Sequence, residues 1–278
     1  MKKIISLILA LVLCLSFAAP CFAEEAQKSY VVLGDSISQG FGVENPDEAS
    51  YAAIIANTNN YSYTNLGKAA KTSTQLLDEI LNDEKTRESI KSADLMSISI
   101  GGNDYFCDSR VVGIALGAIL NIDTTNTLEI TKQLKENYLA MLKEIRALNP
   151  NAVILLQYVP VSWFGLLGTA YERVTSRINK VIDEAAAAYP DNLYIVDVAS
   201  AMAGHKDYIA EDALHPNSEG NVAIAKAFQA KLVEIGLADS TEVKITAEGI
   251  EPNFYVKAYG KVLGKVFWFL VNLFTGNL

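Results

Sequence analysis

The sequence predicts an α/β protein: a three-layer α/β/α sandwich on a five-stranded parallel sheet. Short apolar runs recur at residues 30–33, 61–66, 94–100, 152–159 and 192–198, and three of them stop at a glycine (Gly34, Gly67, Gly101). Between them lie longer stretches with apolar residues at helical spacing, the mark of amphipathic helices. The run Ala152 to Val159 is almost continuously apolar, as expected of a strand buried on both faces. Strands alternating with helices build βαβ units, whose right-handed crossovers leave few orders; a flavodoxin-like order is the expectation.

The ends are read apart from this core. Lys2 and Lys3 precede an apolar run from Ile4 to Ala19, and Cys21-Phe22-Ala23 is followed by Glu24 and Glu25. This is the pattern of an export leader over residues 1–23, cleaved near Ala23, giving a secreted or cell-surface protein. Losing two lysines with the leader takes the formal charge from -9 to -11. So acidic a body repels phosphate backbones, and no nucleic acid partner is expected. Of the cysteines, Cys14 and Cys21 leave with the leader and Cys107 remains, so no internal disulfide is expected. With two histidines and no paired cysteines, no metal site is expected. No Gly-x-Gly-x-x-Gly follows the first strand, so a dinucleotide site is unsupported and no cofactor is expected. The domain is placed at residues 24–238, with 239–278 as an extension.

In chain order, Tyr30 to Leu33 form the first strand, and Gly40, Gly42, Asn45 and Pro46 mark a loop. Ser50 caps a helix through Ile54 and Ile55, and residues 61–66 alternate as a second strand. Thr72 and Gln75 make a capping box before Leu76, Leu77, Ile80 and Leu81, with Asn82 to Lys91 as the solvated continuation of that helix. After the third strand comes an apolar stretch, 111–120, interrupted by Gly113 and Gly117. It is either a buried helical insertion or a hydrophobic wall over the sheet edge. A long helix runs from Asn126 to Leu148, closed by Pro150, and another from Tyr171 to Ala188, closed by Pro190. Pro216 and Asn217 open the last helix, through Val222, Ile224, Phe228, Leu232 and Ile235.

Ser36 follows Gly34-Asp35 at the end of the first strand, where ligands of parallel sheets gather. A Gly-Asp-Ser turn is commonly just a turn; the alternative is a nucleophile. A serine hydroxyl at its ordinary pKa is a poor nucleophile and needs an imidazole to take its proton. That ring needs a carboxylate to set its tautomer. Asp212 lies three residues before His215 on the loop ahead of the last helix, while His205, in a Gly-Lys-Asp loop, reads as a surface residue.

Four pieces in this order resemble the SGNH hydrolases, or GDSL esterases and lipases: Gly34-Asp35-Ser36, Asn65-Leu66-Gly67, Gly101-Gly102-Asn103-Asp104, and Asp212 with His215. The resemblance spans residues 30 to about 236. It implies the SGNH hydrolase fold, Ser36 as nucleophile, and Asp212 and His215 as its partners. It further implies an oxyanion hole from the N–H groups of Ser36 and Gly67 and the Asn103 amide. One departure is Ala70, where the family usually carries a second glycine; Lys68 and Lys71 stand nearby. Asp35 and Asp104 read as structural carboxylates accepting local N–H groups.

With the leader read in residues 1–23, the resemblance implies a secreted carboxylic-ester hydrolase acting on lipids or other acyl esters. A carbohydrate O-acetyl esterase would use the same residues, and a non-catalytic binding module would share only the fold. Tyr105, Phe106, Tyr158, Trp163 and Phe164 are placed near strand ends to line either kind of cleft. In the extension, Lys257, Lys261 and Lys265 fall four apart beside an apolar remainder that includes Phe267, Trp268 and Phe269. The run is shorter than the roughly 20 residues that span a bilayer. Residues 254–274 therefore read either as a helix lying on a membrane surface or as one docked on the domain.

Overall fold

The computed structural model describes residues 27–160, 165–212 and 214–246. The expected leader (1–23), Trp163, Phe164 and the 254–274 segment lie outside them. Strand β1 (Ser29–Gly34) is followed by a one-turn helix α1 (Ser36–Gln39), a second short helix α2 (Pro46–Ala49), and α3 (Tyr51–Asn59). Next come β2 (Ser62–Asn65), α4 (Ser73–Asn82), α5 (Glu84–Ser92), β3 (Leu95–Ser99) and α6 (Gly102–Phe106). The chain continues through α7 (Val111–Leu120), α8 (Thr125–Leu148), β4 (Val153–Gln157), α9 (Gly165–Ala188), β5 (Leu193–Val196), α10 (Val198–Met202) and α11 (Ser218–Glu234).

The five strands lie in the order β2-β1-β3-β4-β5, and every neighbouring pair is parallel. This is the expected flavodoxin-like sandwich. Alternate residues face opposite layers, as the pleat requires. Val31, Leu33, Met96, Ile98, Ile154 and Leu156 pack with Leu76, Ile80, Leu134, Leu142 and Ile178 from α4, α8 and α9. Tyr30, Val32, Leu95, Leu155 and Val196 face the other way, against Tyr51 and Ile55 of α3 and Ile224, Phe228 and Leu232 of α11. Each large aliphatic side chain so buried contributes about 1.5–3 kcal/mol.

Several boundaries differ from the sequence expectation, each for a local reason. The stretch 82–91 is not a continuation of one helix: Asp83 ends α4 and its carboxylate accepts the Thr86 N–H, starting α5 afresh. The long helix begins at Thr125 rather than Asn126, because the hydroxyl of Thr124 caps it by accepting from the Thr127 N–H. The last strand stops at Val196, and Asp197 caps the unanticipated helix α10. The apolar 111–120 stretch is the helix α7, with Ile114, Gly117 and Ala118 turned inward. Its other face carries Val112, Leu116 and Leu120, which are exposed. Residues beyond 238 still touch the body: Gln229 Nε2 donates to the Ser240 carbonyl (2.7 Å) and the Lys244 N–H to Thr58 Oγ1 (2.9 Å).

A buried asparagine ties three of these elements together. Asn149 Nδ2 donates to the carbonyls of Ile90 and Ala93, both at 2.8 Å, and Oδ1 accepts the Ala152 N–H at 3.0 Å. Asn149→Ala would strand buried backbone groups at the ends of α5 and α8 and cost about 3 kcal/mol. The expected readout is a lower urea midpoint at an unchanged slope; an unmoved midpoint would show that this knot adds no stability.

Candidate active site

The first strand delivers Ser36 to the carboxyl edge of the sheet. Gly34 has φ 136°, and a Cβ there would sit 2.1 Å from the Ser99 carbonyl oxygen, so no other residue fits this crossing of β1 and β3. The Asp35 N–H bonds that same carbonyl (3.0 Å), and its Oδ1 accepts the Ile37 N–H (3.0 Å). Ser36 is thereby the first residue of α1, with its backbone N–H in the turn where helices leave donors unpaired.

The loop before α11 brings the other two residues. The His215 carbonyl accepts from the Ala210 N–H (2.8 Å), and the Asn217 N–H donates to the Tyr208 carbonyl (2.9 Å). Asn217 then caps α11 through the Gly220 N–H. So held, His215 places Nε2 at 2.8 Å from Ser36 Oγ, across 179 positions of sequence. Its Nδ1 lies 2.6 Å from Asp212 Oδ2, while Asp212 Oδ1 accepts the N–H groups of Leu214 and His215 (3.0 and 2.9 Å). Phe41 packs on the imidazole, ring centres 4.8 Å apart. Burial works to raise the Asp212 carboxyl, but the bond and charge of His215 and the two N–H groups outweigh it and hold the group below its ordinary value. His205 is an exposed residue stacked on Tyr208.

The 66–71 loop links two of the predicted oxyanion residues, packing Gly67 on α1 and accepting the Asn103 amide. Gly67 packs so close to α1 that a Cβ would be 2.6 Å from the Gln39 nitrogen. Its N–H is donated to Asn65 Oδ1 (2.8 Å), and Asn65 Nδ2 in turn reaches the Ser38 carbonyl (2.9 Å). The N–H groups of Lys68 and Lys71 bond the carbonyls of Gly34 and Lys68, and that of Ala69 bonds Gln39 Oε1. Within this loop, among the described residues, the N–H of the exposed Ala70 has no protein acceptor. Ala70 also has φ 62°, a left-handed conformation that glycine adopts without penalty. Asn103, at the start of α6, donates one amide hydrogen to the Lys71 carbonyl (3.0 Å) and keeps the second. The departure at Ala70 was visible in the sequence; that its N–H is the uncommitted one was not, because the partners of Lys68 and Ala69 before it come from β1 and α1.

The two remaining acids near the site are bonded within the protein. Asp104 accepts the Ser73 N–H and hydroxyl (3.0 and 2.5 Å). Burial pushes the Asp35 carboxyl up to about 7, against the lowering effects of the Ile37 N–H and the His215 charge. From the ordinary value of 3.8 up to about 7, the folded chain keeps a proton that the unfolded chain releases. Stability through Asp35 therefore falls as pH rises through this window and levels off above it. Asp35→Asn keeps the capping oxygen and removes the titration. The thermal midpoint of the variant should vary less between pH 4 and 7 than that of the parent; parallel curves would refute the assignment.

Two cavities flank α6. One of about 420 Å³ is polar, lined by Thr72, Thr74, Asn103, Asp104 and Gln133 among others. The other, about 40 Å³, is apolar and lies between Tyr105, Phe106, Ile114, Ala118, Tyr171 and Val174. Tyr158 instead bonds Asp183. Among the described residues no three or more His, Cys, Asp or Glu are grouped to hold a metal ion.

The sequence profile of the GDSL-like lipase/acylhydrolase family matches residues 32–223. Over 228 residues, 77% of this chain and 86% of the other, the chain is 25% identical to the uncharacterized protein YpmR of Bacillus subtilis strain 168. Among solved structures it is similar to the lipase Lip_vut3 from a goat rumen metagenome, with TM-score 0.62 and 22% identity over 73% of this chain and 97% of that one. It is also similar to a family 3 carbohydrate esterase of Clostridium thermocellum, with TM-score 0.53 and 17% identity over 75% and 97%. At these identities the structural likenesses speak to the fold.

Proposed function

Because the chain belongs to the GDSL-like lipase/acylhydrolase family, we propose that it hydrolyses carboxylic esters, with Ser36 as nucleophile, His215 as proton carrier and Asp212 as the carboxylate that orients it. The observation that carries this reading is the unbroken line from Ser36 Oγ to His215 Nε2 (2.8 Å) and from His215 Nδ1 to Asp212 (2.6 Å). As His215 takes the hydroxyl proton, Ser36 Oγ attacks the ester carbonyl carbon. The tetrahedral intermediate collapses, the alcohol leaves with the proton from His215, and the acyl group stays on Ser36 Oγ. Water then attacks the acyl carbon while His215 takes its proton and returns it to Ser36 as the carboxylic acid departs. Asp212 holds Nδ1–H throughout, so that Nε2 faces the serine without a proton.

The developing oxyanion is assigned to the Ser36 N–H, the second amide hydrogen of Asn103 and an N–H of the 67–70 loop. In that loop Gly67 joins by releasing Asn65 Oδ1, whereas the Ala70 N–H is uncommitted. Donors of this kind, pre-aimed in a site of low polarity, are each worth about 3 kcal/mol of transition-state stabilisation.

The apolar side chains beneath α7, around a cavity of about 40 Å³, offer a surface for an acyl group, which favours lipid or other acyl esters. The larger polar cavity beside Asn103 supports a second reading, removal of acetyl groups from carbohydrate. A series of p-nitrophenyl esters from acetyl to long acyl, run beside acetylated xylan, separates them. Turnover extending to longer chains is expected; turnover confined to acetyl esters, with release of acetate from xylan, would overturn the lipid reading. The leader read in residues 1–23 would carry the enzyme out of the cell.

A further inference from the structure

Lys71 is buried although it carries an ammonium group, with only 3% of its side chain exposed. Its Nζ donates to the Leu66 carbonyl (2.9 Å) and to Glu79 Oε2 (2.5 Å). The first bond joins the two ends of the 66–71 loop, and the second fixes the bridge to α4. Its own carbonyl accepts the Asn103 amide (3.0 Å). Between the bridged ends sits Ala70 at φ 62°, in the third place of a turn closed by the Lys71 N–H on the Lys68 carbonyl (3.2 Å). A non-glycine residue in this conformation relaxes unless its surroundings over-determine it.

We propose that Lys71, anchored by Glu79, is a positioning residue that clamps this loop and so aims two oxyanion donors at once, the Ala70 N–H and the Asn103 amide. The clamp acts through geometry: the ammonium is committed to a carbonyl and a carboxylate and does not contact substrate. An ammonium left buried without its carboxylate would be costly, which explains why the bridge ends on Glu79 rather than on Leu66 alone. The proposal rests on the hydrolase reading, since only a reaction that builds an oxyanion would sense a small displacement of these donors.

The test compares Lys71→Met, Glu79→Leu and Glu79→Gln with the full-length parent on p-nitrophenyl acetate. Affinity for an alkylboronic acid, which becomes tetrahedral on Ser36, is measured in parallel. Displacing donors by about an ångström costs roughly a hundredfold in rate. Lys71→Met should therefore lose about that factor in kcat and in boronate affinity with KM unchanged. Glu79→Leu should move both in the same direction, and Glu79→Gln, which keeps an acceptor for Nζ, should restore near-parental values. A purely structural role would lower the thermal midpoint and leave kcat of the folded enzyme intact, which would overturn the proposal. A rise in kcat on Glu79→Leu would overturn it as well, showing that the lysine charge itself acts on the oxyanion. Should Lys71→Met fail to fold, the two Glu79 variants decide by the same readouts. A parent without ester turnover would sink the hydrolase reading and this inference with it, whereas an active parent beside unimpaired variants sinks this inference alone.

Discussion

Ser36→Ala is expected to lower kcat on p-nitrophenyl esters by about six orders of magnitude, the loss found when a serine nucleophile of this kind is removed. The change deletes one oxygen whose bond is to His215 Nε2, and the backbone N–H assigned to the oxyanion remains. Substrate binding and folding should survive, so KM-type affinity for an unreactive ester analogue and the thermal midpoint should stay near the parent's. That contrast gives the prediction its force. A variant that kept a hundredth of the parental rate would show that another group attacks the ester, whatever the distances around Ser36.

Asp212→Asn is expected to cost about 10⁴ in kcat while leaving the loop in place. Asp212 uses its two oxygens differently. Oδ1 accepts the backbone N–H groups of Leu214 and His215, while Oδ2 faces the ring at Nδ1. An asparagine keeps the first role with its carbonyl oxygen and must then turn its NH₂ toward Nδ1. Two donors cannot face each other, so the ring moves its proton to Nε2 and can no longer accept the proton of Ser36. The measurement is kcat with circular dichroism as a folding control; a loss of less than tenfold at neutral pH would show that the carboxylate does not set the tautomer. Because the Asp212 carboxyl is held below its ordinary value by the ring and the two N–H groups that outweigh its burial, its contribution to stability is present above the unfolded value. It is lost only as pH falls through the lower folded one.

Much of this was legible in the residues, and the reasons are local. The apolar runs at 30–33 and 152–159 announce strands because a parallel sheet covered on both faces leaves no polar side. Ser36 and His215 stand out because turn chemistry places one after a strand and a cap places the other before a helix. The errors are equally local. Asp83 reads as one more charge on a solvated helix, yet its carboxylate outcompetes helix continuation by capping Thr86. Asn126 has a capping pattern, but Thr124, two residues earlier, makes the bond. Short helices such as α1 and α10 escape because four or five residues carry no period to detect.

By itself, the amino-acid sequence determined the sandwich, narrowed the strand order to a few and singled out the candidate residues for acyl chemistry, since these follow from periodicity, from crossover handedness and turn residues, and from motifs in a fixed order. The tertiary structure alone decided which of those groups are free to act. Gly67 spends its N–H on Asn65, Ala70 does not spend its own, and the Asn103 amide is steered by a carbonyl 32 positions earlier in the chain. Hydrogen bonds saturate one donor at a time, and the acceptors that compete for these donors come from the end of β2, from β1 and α1, and from the loop itself. Nothing in the local sequence of a loop says which of its N–H groups those distant partners will claim.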